Sequence, residues 1–162
     1  MLNIITLGDE QLRKHSILVP DIDSSVQELI EQMFESMREH KGIGLAAVQV
    51  GSLYRLFVTE VAGDGPRAFV NPEIVETSLE QGVFEEGCLS IPGVEAEVIR
   101  PLQVRVQAWN ENGKPFTLDA EDMLARVVQH EYDHLNGVLF IDHLDPKKRE
   151  RLVKQFNTAA PL

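Results

Sequence analysis

The chain has 162 residues, 43% of them hydrophobic and 25% charged, which is the composition of a globular protein rather than a fibrous or disordered one. Its formal net charge of −11 argues against a non-specific nucleic-acid binder, because phosphate-binding surfaces need clustered Lys and Arg. No apolar run approaches the roughly 20 residues that span a bilayer, and the N-terminus lacks a signal-peptide pattern, so we expect one cytoplasmic domain over residues 1–162 with no DNA or membrane partner.

The first half of the chain predicts one amphipathic helix followed by strands. From residue 23 to about residue 41, apolar residues recur at helical spacing, and Ser24 and Gln27 are spaced as a capping box. Residues 53–61 predict a strand, and Asn71-Pro72 opens a further extended segment that reaches about residue 83.

The second half predicts a hairpin and two more helices. Residues 102–109 alternate apolar and polar, and Asn112-Gly113 is a turn signal before a second short strand. A helix is expected from about residue 121 to residue 135, and another from Asp145-Pro146, where a cap precedes a first-turn proline. This order of elements predicts an α+β fold with a mainly antiparallel sheet.

The second of these helices carries His130, Glu131 and His134 in the pattern His-Glu-x-x-His. Residues four apart lie on one face of a helix, so the two imidazoles can both reach a divalent metal. The glutamate between them can take a proton from water at that metal. The alternative is a coincidence of two surface histidines.

A third ligand is not supplied by the familiar protease patterns. Phe140 occupies the position of the third histidine of metzincins, and Glu150, the one downstream glutamate, sits inside a charged run. Cys88, the single cysteine, is the next candidate for the third ligand. A lone cysteine is more often a buried apolar side chain. However, Gly87 and a turn at residues 90–93 predict a tight loop, and one thiolate with two imidazoles is a catalytic metal set with one open position.

The stretch GIGLAAVQV at residues 42–50 contains small residues that allow close backbone approach. Gln49 at its end could donate a hydrogen bond to a developing oxyanion. A structural role for this stretch is the alternative interpretation.

Three stretches in this order resemble the peptide deformylase family: Gly-Ile-Gly-Leu-Ala-Ala-x-Gln at 42–49, Glu-Gly-Cys-Leu-Ser at 86–90 and Gln-His-Glu-x-x-His at 129–134. The resemblance extends to the first helix, to the GKPF turn at 113–116 and to the segment after residue 143, so it covers essentially the whole chain. It implies antiparallel sheets packed around a central metal-binding helix, with one helix N-terminal and one C-terminal to them.

The resemblance also implies an activity, the removal of the formyl group from N-terminal formyl-methionine with release of formate. Glu131 would be the general base and then the general acid, and the Gln49 side chain and the Leu89 N–H would hold the oxyanion. The implied metal ligands are Cys88, His130 and His134. The implied substrate-binding residues are Ile43, Gly44, Gly87 and Val127, with Ile43 and Gly44 as the edge that pairs with the peptide and Val127 at the methionine pocket.

The implied metal is a single divalent ion, iron(II) in the cell, although zinc(II), nickel(II) or cobalt(II) suit the same ligands. The implied partners are nascent formyl-methionyl polypeptides. The basic cluster of the last helix suggests transient contact with the ribosome, and a solvated helix face is the alternative. A zinc metalloendopeptidase and a non-catalytic metal-binding protein remain the competing functions.

Two positions depart from the family pattern. Glu95 stands where many members carry an arginine, and Arg126 replaces an aliphatic residue found in some members. We expect both to affect peptide preference and to leave the metal chemistry alone, and we expect Arg126 and Glu95 to pair with each other.

Overall fold

The computed structural model describes residues 2–158, which form an α+β fold with three α-helices and seven strands. The elements are α1 Ser24–Glu39, β1 Gly44–Ala46, β2 Leu56–Val61, β3 Gly65–Thr77, β4 Gln81–Cys88, β5 Ile91–Pro101, β6 Gln103–Trp109, β7 Pro115–Glu121, α2 Asp122–Leu135 and α3 Pro146–Thr158. Short 3₁₀ helices lie at Glu10–Arg13, Ala47–Val50 and Phe140–His143.

Five strands form one sheet in the order β1-β2-β3-β6-β7, while β4 and β5 form a separate two-stranded sheet. Every neighbouring pair of strands is antiparallel. The prediction of an α+β fold with mainly antiparallel sheets is therefore confirmed.

The five-stranded sheet is covered on both faces at β1 and β2. Because side chains alternate along a strand, Leu45, Leu56 and Val58 pack with the apolar stripe of α1. Ala46 and Phe57 point the other way, into the core that includes α2. This explains why β2 is apolar at successive positions, and it places α2 directly beside β1.

The predicted cap of α1 is wrong by one residue. Asp23 is the N-cap, and its carboxylate accepts a hydrogen bond from the Val26 N–H at 3.1 Å. Ser24 is therefore already helical, and the Gln27 side chain donates to the Glu111 carbonyl at 3.0 Å instead of closing a capping box. Asp and Ser are about equally favourable at the N-cap, so the sequence alone does not determine which of two adjacent residues caps the helix.

Two further boundaries differ from the sequence prediction. Asn71-Pro72 does not open a new element, because β3 continues through it with a register irregularity that accommodates the missing proline N–H. The chain leaves the sheet at residues 78–80, and β4 begins after them. The predicted turn at residues 90–93 is also wrong, since β5 begins at Ile91 and the connection to it is shorter.

The hairpin and the last two helices agree with the prediction. β6 pairs with β7 around a turn at Gly113, and α2 starts within one residue of the predicted position. It ends before Gly137, whose φ of +73° and close approach to the Arg13 backbone both require glycine. No helix within residues 2–158 has the length and apolar character needed to cross a membrane.

The β4–β5 hairpin is fixed by a third core at its inner face. This core contains Ile91, Val94, Ala96, Val98, Leu139, Phe140, Ile141 and Leu152. It joins β5 to the segment after α2 and to α3. The end of β4 contacts α2 through the side chains of Glu86 and Cys88.

Candidate functional site

Cys88, His130 and His134 come together where the end of β4 meets α2. One donor atom from each lies within 4.8 Å of the other two, and the Cys88 Sγ is 3.4 Å from the His134 Nε2. One sulfur and two imidazole nitrogens at this spacing fit a divalent metal such as zinc(II) or iron(II) and leave a coordination position open. The predicted ligand set is thus assembled as a group that could hold a metal ion.

The two imidazoles differ in their surroundings. Burial, followed by the charge of His130, lowers the pKa of His134 well below its ordinary value, so this ring is neutral. Burial also acts to lower the pKa of His130, but hydrogen bonds with Cys88 and Glu86 outweigh it and raise that pKa. The Nδ1 of His130 lies 2.8 Å from the Glu86 Oε1, which fixes the ring and directs its Nε2 toward Cys88.

Glu131 is 4% exposed and lies beside these donors. Its Oε1 has no hydrogen-bond partner among the described residues. Burial raises its pKa to about 7, against the opposing charge of His130. On the other side, a Cβ added at Gly44 would lie 2.5 Å from the Glu131 Oε2. The carboxyl group therefore occupies a tight pocket and can exchange a proton near neutral pH.

The side-chain amide of Gln49 is held in one orientation. Its Oε1 accepts a hydrogen bond from the Ala46 N–H at 2.8 Å. Its Nε2 donates to the Ser90 Oγ at 3.0 Å and lies 3.5 Å from the Cys88 Sγ. Because the oxygen is occupied, the NH₂ group is the end that faces the metal-ligand group.

The side chains of Gln49, Cys88, His130 and Glu131 line a cleft of about 480 Å³ between β1, the β4–β5 hairpin and α2. The predicted substrate-binding and oxyanion residues all line it: Ile43, Gly44, Gln49, Gly87, Leu89 and Val127. β1 is at an edge of the described sheet, with β2 as its neighbour there, and Ile43 just before it is 43% exposed. The cleft therefore offers a strand edge beside the metal-ligand group.

A buried ion-pair network lies behind His130, and it was not predicted from the sequence. Glu86 accepts hydrogen bonds from the Arg100 guanidinium at 2.6 and 3.0 Å, and Arg100 also contacts Asp133 at 2.9 Å. Burial acts to raise the pKa of Glu86, but hydrogen bonds with His130 and Arg100 hold it well below its usual range. The one available signal was that Glu86 lies inside the Glu-Gly-Cys-Leu-Ser stretch.

The predicted pair between Arg126 and Glu95 is wrong. The Arg126 Nη1 donates to the Glu86 Oε2 at 2.8 Å. Glu95 instead lies beside Glu85, and a hydrogen bond between the two carboxyl groups raises the pKa of Glu85. Arg126 and Glu95 do line the cleft. Arg126 is connected to the metal-ligand group through Glu86, which also contacts His130.

Comparisons with known proteins agree with this geometry. A family model described as polypeptide deformylase matches residues 1–150. A peptide deformylase of Rhodopseudomonas palustris is 47% identical over 97% of this chain and 93% of its own length. One of Clostridium botulinum is 51% identical over 90% of this chain and 97% of its own.

Solved structures give the same result. The Ehrlichia chaffeensis peptide deformylase in complex with actinonin has a TM-score of 0.96 at 37% identity, over 100% of this chain and 99% of that one. The structure from Legionella pneumophila has a TM-score of 0.93 at 42% identity, over 97% of this chain and 94% of that one.

Proposed function

The chain belongs to the polypeptide deformylase family and is a hydrolase with that family's activity, and on this premise we propose which of its residues perform the reaction. Cys88, His130 and His134 hold one divalent metal. A metal bound there supplies Lewis acidity and lowers the pKa of water at the site. The observation that carries the proposal is the buried Glu131 Oε1, which has no hydrogen-bond partner within residues 2–158 and belongs to a side chain that lines the same cleft as Cys88 and His130.

Glu131 acts first as a base and then as an acid. Its carboxylate takes the proton from the water that attacks the formyl carbon, and it returns this proton to the departing amine nitrogen, which would otherwise leave as a poor anion. Burial, which raises the pKa of this carboxyl, suits both steps, because it favours holding the proton between its removal from water and its return to the amine.

The oxyanion that develops on the formyl group is held by the Gln49 NH₂ and the Leu89 backbone N–H. The Ala46 N–H holds the Gln49 Oε1 and so turns the NH₂ toward the metal-ligand group, where the long 3.5 Å contact with the Cys88 Sγ leaves one N–H that can turn to the oxyanion. Removal of one such donor typically raises the barrier by about 3 kcal/mol.

The peptide binds as an added strand along the edge that Ile43 and Gly44 provide. Main-chain hydrogen bonds of this kind read few side chains, so they suit an enzyme that must accept many protein sequences. Gly87 lines the opposite wall without a side chain, and Val127 contributes to an apolar pocket for the methionine.

In the cell we propose iron(II) as the metal, with zinc(II), nickel(II) and cobalt(II) able to occupy the same ligands. The substrates are nascent formyl-methionyl polypeptides in the cytoplasm, and residues 1–162 act as one catalytic domain. The exposed cations of α3, including Lys147 and Arg151, make transient contact with the ribosome.

The test is a comparison of two tripeptides that differ only in the formyl group on their N-terminal methionine. Metal-loaded protein should release formate from the formylated peptide and leave both peptide chains intact. A metalloendopeptidase would instead cut the peptide bonds of the unformylated form. Cleavage without formate release would overturn the proposal.

A further inference from the structure

The Glu86 carboxylate lies at the centre of the network behind the metal-ligand group and is 4% exposed. It contacts three side chains from two different elements: Arg100 on β5, and Arg126 and His130 on α2. Its position therefore sets the position of the His130 ring, and anything that moves Glu86 moves a metal ligand.

Arg126 differs from Arg100 in what else it binds. Its Nη1 also donates to the Val98 carbonyl at 2.9 Å, and its Nη2 donates to the Gly82 carbonyl at 3.0 Å. Gly82 belongs to β4 and Val98 to β5, so one side chain from α2 is bonded to both strands of the hairpin. That hairpin carries Cys88, whereas α2 carries both histidines.

Arg126 contributes its positive charge as well as its hydrogen bonds to the two strands. Arg100 is shared between Glu86 and Asp133, so the two buried or partly buried carboxylates face one guanidinium unless Arg126 supplies a second. Removal of one cation from a buried charge network weakens the compensation of the carboxylate that remains. Without Arg126, Glu86 keeps Arg100 and His130, but its Oε2 is left with the shared Arg100 guanidinium alone.

From this geometry we propose that Arg126 is a positioning residue of the metal centre. It acts on His130 through Glu86, and its hydrogen bonds to the Val98 and Gly82 carbonyls hold its guanidinium against that carboxylate. The inference rests on the proposed metal ligands. Arg126, which lines the peptide cleft, therefore affects metal affinity.

The experiment measures cobalt(II) affinity of the metal-free protein in the absence of oxygen, followed by thiolate-to-cobalt charge-transfer absorption. Arg126→Met should weaken cobalt(II) binding about 10–100-fold, the range found when partners of metal ligands are removed. The matched control is Arg105→Met, since Arg105 also contacts two carboxylates, Glu76 and Asp119, but on an exposed part of β6. This control should stay within about twofold of the unmodified protein.

A double-mutant cycle separates positioning through Glu86 from a general structural effect. In a Glu86→Gln background, Arg126→Met should weaken cobalt(II) binding less than about threefold, because the carboxylate that it acts through is gone. Arg126→Lys keeps the cation without the three-way contact, so it should bind with intermediate affinity and gives a second measurement if Arg126→Met does not fold.

Two results would overturn the inference. One is Arg126→Met or Arg126→Lys binding cobalt(II) as tightly as the unmodified protein. The other is a full loss of affinity on Arg126→Met that persists in the Glu86→Gln background. If the unmodified protein itself binds no cobalt(II), the proposed ligand set fails first and this inference with it.

Discussion

Substitution of Gly44 by alanine tests how tightly the cleft holds the Glu131 carboxylate. An alanine Cβ at this position would lie 2.5 Å from the Glu131 Oε2 and 2.8 Å from the Val127 Cγ1. Ordinary contact begins at 3.4 Å, so the carboxylate must retreat by about 0.9 Å. Glu131 is 4% exposed, and its backbone is held within α2, so the shift displaces the catalytic carboxyl rather than a loop.

A misplacement of about 1 Å at a reacting group can reduce the rate about 100-fold. We therefore expect Gly44→Ala to lower kcat/KM for formate release by about that factor, with unchanged metal content and circular dichroism. The control is Gly82→Ala, the same change in strand β4, where the new methyl group meets only the flexible side chain of Leu102.

The reasoning would be refuted by a folded Gly44→Ala protein that keeps kcat/KM within about threefold of the unmodified one, well short of the expected loss. That result would mean that the cleft relaxes at low cost. A similar loss in Gly82→Ala would point instead to a general sensitivity of the fold.

Three further predictions concern the base, the oxyanion site and the basic helix. Gln49→Ala should lower kcat about 100–1,000-fold and change KM little, since the donor is used in the transition state. A rise in KM with unchanged kcat, measured by steady-state kinetics, would contradict this prediction. In metal-free protein, the Glu131 pKa rises from 4.5 to about 7 on folding, so this group destabilises the fold as pH rises through that window. Glu131→Gln should therefore gain up to about 3 kcal/mol in unfolding free energy relative to the unmodified protein over that range; a pH-independent difference in urea unfolding would contradict it. Neutralising Lys147, Lys148 and Arg151 should reduce the fraction of protein that sediments with ribosomes and leave tripeptide turnover unchanged.

The ligand trio could be predicted because its strongest signal is local. His130 and His134 need only helical periodicity to share a face, and the sequence analysis placed α2 within one residue. Cys88 was predicted as the third ligand because the third ligands of the familiar proteases are absent and because the chain resembles peptide deformylases. No strand is predicted at residues 91–101, because residues 90–93 are interpreted as a turn, although the alternation of exposed and buried residues along β5 is present there.

The network behind the site could not be predicted from the sequence. Glu86 meets Arg100 across 14 residues and Arg126 across 40, and no local rule selects these partners. Charge alone suggested that Arg126 would pair with Glu95. Arg126 meets Glu86 because both side chains are buried between α2 and the hairpin, whereas Glu95 is an exposed residue of β5 beside Glu85.

The most direct measurement of the central claim compares unmodified protein with Glu131→Gln, both loaded with the same metal without oxygen. Metal stoichiometry and formate release from a formyl-methionyl tripeptide are measured on each, with Glu150→Gln as a surface control. We expect one metal per chain in all three and formate release lost only in Glu131→Gln. A Glu131→Gln protein that binds its metal and still releases formate at the unmodified rate would contradict the assignment of Glu131 as the base.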